Sequence, residues 1–202
     1  MLEVAGPTLT LRLPGPDHVG GLFALARDPE VTRWFSWGPY EDEDEPRRWV
    51  EEAAGRRANG EALELVIERD GVPLGVTSLM ELSRRDRRAM VGTWLGRDHW
   101  GTGVNAEAKA LILHLGFETI GLGRIGAYSE VRHARSQRAL EKLGFRREGV
   151  LRAWHRHAGQ PHDVVVFGLL REESQSDVPV QVTGELPPAF SLPAVRRAGT
   201  PS

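Results

Sequence analysis

Two short stretches hold the residues best placed to do chemistry. In Trp100-Gly101-Thr102-Gly103-Val104-Asn105-Ala106-Glu107-Ala108-Lys109 a glycine turn opens a helix. There, consecutive backbone N–H groups and the positive end of the helix dipole converge on an anion. Downstream, Arg135-Ser136-Gln137-Arg138-Ala139-Leu140-Glu141-Lys142-Leu143-Gly144-Phe145 reads as a short amphipathic helix stopped by Gly-Phe. Arg138 and Lys142 lie one turn apart on it, either as a phosphate-facing pair or as an ordinary solvated stripe.

Several readings of the glycine turn compete. A triphosphate-binding loop needs Lys-Ser/Thr directly after its last glycine; Val104-Asn105 stands there, and that reading fails. The run Gly101 to Ala106 fits G-x-G-x-x-A, and Glu130 follows at a distance suited to a ribose contact, which keeps an NAD(P)-binding protein open. That fingerprint must follow directly on a parallel strand, whereas residues 96–100 separate this turn from the strand before it. A glycine-capped helix start without ligand, and a pyrophosphate site for coenzyme A, are the remaining readings.

The elements that position these residues follow from periodicity. Alternation over 8–13 predicts a strand, and Gly15-Pro16-Asp17 opens a helix reaching about Arg27. An aromatic turn, Trp34-Phe35-Ser36-Trp37-Gly38-Pro39, and an acidic run, Glu41 to Glu45, lead to a helix over 46–59. Strands are expected at 62–68, 72–82 and 89–95, joined by Asp70-Gly71 and by the basic turn Arg84 to Arg88, so that an antiparallel meander results. From Val104 the pattern becomes helical, with Val104, Ala108, Leu111, Ile112 and Leu115 on one face, ending near Gly121. A strand at 124–129, a helix at 134–143, an extended run at 146–153 and a strand at 163–170 follow. After Glu173 the chain turns rich in Pro, Ser, Gly and Thr, which reads as a flexible tail over 174–202 behind a domain of 1–173.

Composition excludes several classes. A net charge of −2 argues against general nucleic-acid binding. The absence of cysteine removes disulfides, thiolate metal sites and a thiol nucleophile, and favours a cytoplasmic location. The start lacks a basic leader and no apolar run is long enough to span a bilayer, so a soluble protein with no membrane partner is expected. His155, His157 and His162 lack a completing carboxylate cluster, and no metal is expected.

The stretch from Ala89 to Phe145 resembles the GNAT superfamily of acyl-CoA N-acyltransferases. Asp98-His99-Trp100-Gly101-Thr102-Gly103 occupies the position of its phosphate loop, with Asp98 where the family carries Arg or Gln. Trp34 to Trp49, the Asn105-x-Glu107-Ala108-Lys109 helix start, Ser136 to Phe145, Glu148-Gly149-Val150-Leu151-Arg152 and the strand from Asp163 to Leu170 are similar to the RimJ/RimL-type branch, which includes ribosomal-protein N-terminal acetyltransferases. The likeness runs from about Thr8 to Glu173. It implies an α/β (α+β) fold: a mixed, mostly antiparallel central sheet splayed in the middle, flanked by about four helices, with acetyl-CoA in the split.

The resemblance also assigns roles. The amides of Gly101, Thr102, Gly103 and Val104, with Asn105, would hold the pyrophosphate; main chain at Thr93, Trp94 and Leu95 would meet the pantetheine arm and the oxyanion. Arg138 and Lys142 would reach the adenosine end. His133 stands where the branch carries Asn and would bond the cofactor as that Asn does; a group titrating near neutrality and an exposed helix-start residue are the alternatives. Ser136 would donate to the departing thiolate, since Leu140 replaces the Tyr used by many relatives; a helix-cap serine is the alternative. Met90 replaces the family's Glu on the strand, which leaves Glu81 or a water relay as base. Trp34 and Trp37 would border an acceptor pocket. The expected activity is transfer of acetyl to a primary amine, on a protein N-terminus or a small molecule, by direct attack in a ternary complex, as a monomer or homodimer. The missing Glu and Tyr also leave open a catalytically silent acyl-CoA-binding or sensor module.

Overall fold

The computed structural model describes residues 2–157 and 159–193. Strands β1 (Glu3–Ala5) and β2 (Thr10–Arg12) form a hairpin, followed by a 3-10 turn (Pro16–His18), α1 (Val19–Ala26), the one-turn α2 (Pro29–Thr32) and α3 (Asp44–Asn59). The expected meander comes next as β3 (Ala62–Arg69), β4 (Val72–Ser83) and β5 (Arg88–Leu95). After it run α4 (Val104–His114), β6 (Arg124–Glu130), α5 (Ala134–Lys142), β7 (Arg146–His157), β8 (Gln160–Leu170) and β9 (Gln181–Thr183). The nine strands among the described residues form one sheet in the order β7-β8-β6-β5-β4-β3-β2-β1-β9.

Only β5 and β6 run parallel, and they pair over just three positions, Arg88↔Arg124, Ala89↔Ile125 and Met90↔Gly126. Where they meet, the Met90 side chain lies over Gly126, where a Cβ would stand 2.5 Å from its sulfur. Beyond that point β5 continues to Leu95 and β6 to Glu130 with no pairing between them. Their facing edges therefore carry backbone donors and acceptors with no strand partner. A split of this kind at a change of strand order is where α/β sheets open a ligand crevice.

The two faces of the sheet are covered differently. Leu65, Ile67, Leu79, Val91 and Ile125 pack under α4, whose Val104, Ala108, Leu111, Ile112 and Leu115 are all buried, as their 3.6-residue spacing predicts. The helix finishes in a π-helical turn (Leu115–Ile120) before Gly121 at φ +83°. On the opposite face, Val19 and Leu22 of α1 and Val50 of α3 cover Val66 and Val76.

Glu107 of α4 is half-buried and does not line the crevice. Its carboxylate accepts from the Thr8 amide (2.7 Å), the Thr8 hydroxyl (2.6 Å) and the Leu9 amide (2.9 Å), tying the β1–β2 hairpin to the helix. Glu107→Ala should destabilise the fold by about 2–3 kcal/mol, the scale of charge-assisted hydrogen bonds lost with their donors left behind. Urea unfolding tests this; a midpoint within error of wild type contradicts it.

One expectation needs correcting. Through Pro193 the segment read as a flexible tail is docked: β9 pairs with β1 (Val4↔Val182) and Phe190 is fully buried. Composition misled because only a few apolar residues, Val178, Val180, Val182, Leu186 and Phe190, anchor it. The basic turn is also explained. Arg84 donates to the carbonyls of Ala189 (3.1 Å) and Ser191 (3.0 Å), and Arg87 to that of Pro193. Residues 194–202 of the expected tail lie outside the described residues. No helix among the described residues is long and apolar enough to cross a membrane.

Candidate active site

The crevice between β5 and β6 opens into a cavity of about 530 Å³. Its wall brings together Trp94 and Leu95 of β5, Gly101, Gly103 and Asn105 at the start of α4, and His133, Ser136, Arg138 and Lys142 on or before α5, residues far apart in the chain. Gly101 (φ +75°) and Gly103 (φ +90°) have left-handed backbones, and a Cβ on either would meet nothing within 4 Å. Glycine is thus needed there for conformation and for the open space beside the helix start, not for close packing inside the protein. Thr102 and Val104 offer backbone only: the Thr102 hydroxyl donates to the His99 carbonyl (2.8 Å), and the Val104 side chain is buried.

Trp100 braces this loop. Its indole N–H donates to the Leu95 carbonyl (2.9 Å), and the Arg135 guanidinium stacks over its ring at 3.7 Å, joining the loop to α5 across the crevice mouth. The cavity also contains polar atoms without internal partners. Ser129 Oγ and His133 Nε2 are buried and make no hydrogen bond among the described residues. Such groups cost free energy unless a ligand satisfies them. A chain of amides and a pyrophosphate suits both these atoms and the unpaired edges of β5 and β6.

His133 stacks on Trp34 with ring centroids 5.0 Å apart, so Trp34 belongs to this crevice and not to the acceptor side. Burial, helped by the Arg135 charge, holds the His133 pKa at about 4 instead of 6.5. It is neutral at physiological pH. Between about pH 6.5 and 4 the unfolded chain takes up a proton that the folded protein refuses, so stability falls with pH across that window and not below it. His133→Asn should remove this component. Urea midpoints at pH 7 and pH 5 read it; an unchanged pH difference in the variant refutes it.

A second cavity, also about 530 Å³, adjoins the first on the α3 side of the sheet and shares Phe35, Gly92, Thr93 and Trp94 with it. Trp37, Tyr40 and Trp49 wall it with Glu45, Glu52, Glu64 and Arg48, and Arg56 pairs with Glu52 at 3.0 Å. The acidic run is thereby divided: Asp42 accepts from the amides of Asp44 and Glu45 at the start of α3, while Glu45 faces the cavity. Desolvation and the Glu45 charge push the Tyr40 pKa up to about 12, so it stays a phenol. Arg56 Nε holds Glu64 at 3.0 and 3.1 Å. Sequence reasoning missed Glu52 and Glu64. Only the register that sets Glu64 opposite Ser78, and Ser78 opposite Gly92, places Glu64 in the wall of this second cavity.

Glu81 lines neither cavity. It sits at a bulge at the end of β4 with φ +53°, exposed, and accepts from the Tyr128 hydroxyl at 3.2 Å. Tyr128 does line the crevice. Ser136 lies in the first turn of α5, where His133 occupies the cap position, and its hydroxyl has no partner among the described residues. The helix-cap alternative is therefore not realised. Among the described residues no group of three or more metal-ligating side chains occurs; His157 and His162 contact each other edge to face at 6.0 Å.

A sheet split between parallel strands, a glycine turn opening the helix between them and a crevice shaped for an extended coenzyme are the marks of an acyl-CoA-dependent transferase. The family described as "Acetyltransferase (GNAT) domain" matches residues 8–146, and the chain belongs to it; it is an acetyl-CoA-dependent acyltransferase. It is 30% identical over 167 residues to the uncharacterized N-acetyltransferase p20 of Bacillus licheniformis, spanning 82% of this chain and 94% of that protein. YoaA of Bacillus subtilis (strain 168), also an uncharacterized N-acetyltransferase, is 28% identical over 81% of this chain and 93% of its own. Among solved structures, Mycobacterium smegmatis RimJ in complex with CoA-disulfide superposes with a TM-score of 0.77 at 21% identity, covering 85% of this chain and 87% of that one, a likeness of fold.

Proposed function

We propose that the protein moves acetyl from acetyl-CoA to a primary amine by direct attack in a ternary complex, with a small cationic amine as acceptor. The observation that carries this reading is the pair of cavities meeting at Gly92, Thr93 and Trp94. Coenzyme in the first and amine in the second would place nucleophile and thioester at one point of β5, which removes most of the entropic cost of encounter. The chain has no cysteine to accept the acyl group.

In this reading the amides of Gly101 to Val104 and Asn105 hold the pyrophosphate, and Arg138 and Lys142 the adenosine end. Backbone at Thr93 to Leu95 pairs with pantetheine and meets the oxyanion. Ser136 donates to the departing sulfur. Glu81 takes the ammonium proton through Tyr128, whose phenol it already accepts from. Aromatic walls and Glu45, the wall carboxylate that Arg56 does not pair, suit an ammonium-bearing acceptor.

Calorimetry with acetyl-CoA, followed by coenzyme release against a panel of small amines and peptides, tests the reading. Binding with release driven by small cationic amines is expected. Release driven by peptides alone would move the acceptor to a protein N-terminus. Binding without any amine-dependent release would make the protein a silent acyl-CoA module.

A further inference from the structure

We infer that Lys109 is the acid that returns a proton to the coenzyme sulfur as acetyl leaves. The inference rests on the crevice being the acetyl-CoA site. Lys109 stands one turn beyond Asn105 on α4, and both line the crevice. The residue is only 5% exposed, yet its Nζ is not among the fully enclosed unpaired atoms: with no hydrogen bond or ion pair among the described residues, it keeps access to the crevice. Desolvating an ammonium in this way is costly, and among the described residues no side chain offsets the cost. The choice of side chain is also informative. Of 26 basic residues only Lys109 and Lys142 are lysines, and a guanidinium could not release a proton.

The surroundings suit proton transfer. Burial lowers the Lys109 pKa to about 7, where a group gives and regains a proton with similar ease. The other charged or titratable groups on the crevice wall are Tyr128, Glu130, His133, Arg135, Arg138 and Lys142. Glu130 is taken by the Arg132 amide (2.7 Å) and guanidinium (2.8 Å), and His133 is neutral. Glu107, on the same helix, is turned toward Thr8 and Leu9. Among the described residues no carboxylate pairs with Lys109.

A serine hydroxyl is a far weaker acid than a thiol, so Ser136 can hydrogen-bond the sulfur but cannot keep it protonated. Leu140, where relatives of the resembling family carry Tyr, can do neither. In the balanced step, the amine lone pair forms the C–N bond and the C–S pair passes to sulfur. Lys109 gives its proton to that sulfur, making the thiol. The new amide nitrogen loses its surplus proton through Tyr128 to Glu81 or to water, and solvent recharges Lys109. Amine and thioester become amide and thiol.

The test compares wild type with Lys109→Met and Lys109→Arg. In the free protein, ¹³C NMR of lysine labelled at Cε shows two lysine signals, assigned with Lys142→Met, and one should titrate near pH 7. Turnover by Lys109→Met should fall about a hundredfold or more, with the acetyl-CoA Kd changed by less than about threefold and the alkaline decline of kcat abolished. Lys109→Arg should not rescue turnover. A Lys109 signal titrating near 10.5, recovery in the arginine variant, or a loss confined to Kd would each overturn the assignment. Failure of wild type to bind acetyl-CoA would instead defeat the proposed function, and the NMR titration reads Lys109 independently of it.

Discussion

Gly103→Val should weaken acetyl-CoA binding by about tenfold or more while leaving the protein folded. Gly103 caps α4 with φ +90°, a conformation that costs a β-branched residue about 1–2 kcal/mol, and the chain's way of avoiding that cost is to swing the turn. Because a Cβ there meets no protein atom within 4 Å, the strain is not compounded by a packing clash. What moves is the direction of the N–H groups at the helix start, and the valine side chain fills space beside them. Losing one hydrogen bond to a charged phosphate costs about 1.5–3 kcal/mol, or roughly ten- to a hundredfold in Kd. Calorimetry gives the Kd and thermal unfolding the stability. A lowered melting temperature with an unchanged Kd would remove Gly103 from the coenzyme site and reduce it to a helix cap.

What the sequence disclosed, and what it hid, divides along physical lines. Periodic elements with strong local signals were legible: α4 from its buried face, the meander from Asp70-Gly71, and the Gly103 turn from its glycines. These depend on contacts a few residues apart. The crevice depends on a distant coincidence. Nothing local in β5 or β6 announces that pairing stops after Met90↔Gly126, so the opening had to come from family resemblance. The same holds for the carboxylates. Glu81 looked suitable from its place on a neighbouring strand, but a bulge with φ +53° turns it out of the crevice, leaving Tyr128 as its link. Glu64 was overlooked in a strand that alternates ordinarily, and three strands of register separate it from its role. The docked segment at 174–193 was missed for a related reason. Its anchors are single apolar residues, and its partners Arg84 and Arg87 lie over a hundred positions away, in a turn that read as solvated. Lys109 was visible only as a polar residue in a helix, because burial without a partner is a property of the assembled cavity.

Ser136→Ala should lower kcat by about ten- to a hundredfold and leave both the acetyl-CoA Kd and the stability within error of wild type. The hydroxyl has no partner among the described residues and does not cap α5, so its removal strands no buried group and frays no helix. Its effect must come from whatever enters the crevice. A hydrogen bond to neutral thioester sulfur is weak, whereas one to developing thiolate is charge-assisted and about twice as strong. The difference is felt in the transition state and hardly at all in the ground state, which is the condition for lowering kcat without raising Kd. Ser136→Thr, which keeps a hydroxyl, should recover most of the loss. If Ser136 and Lys109 act on one sulfur, their effects cannot be independent. The Ser136→Ala, Lys109→Met double variant should then lose much less than the product of the two single losses. Full multiplicativity would place them at separate steps, and an equal loss in kcat and affinity would make Ser136 a coenzyme ligand instead.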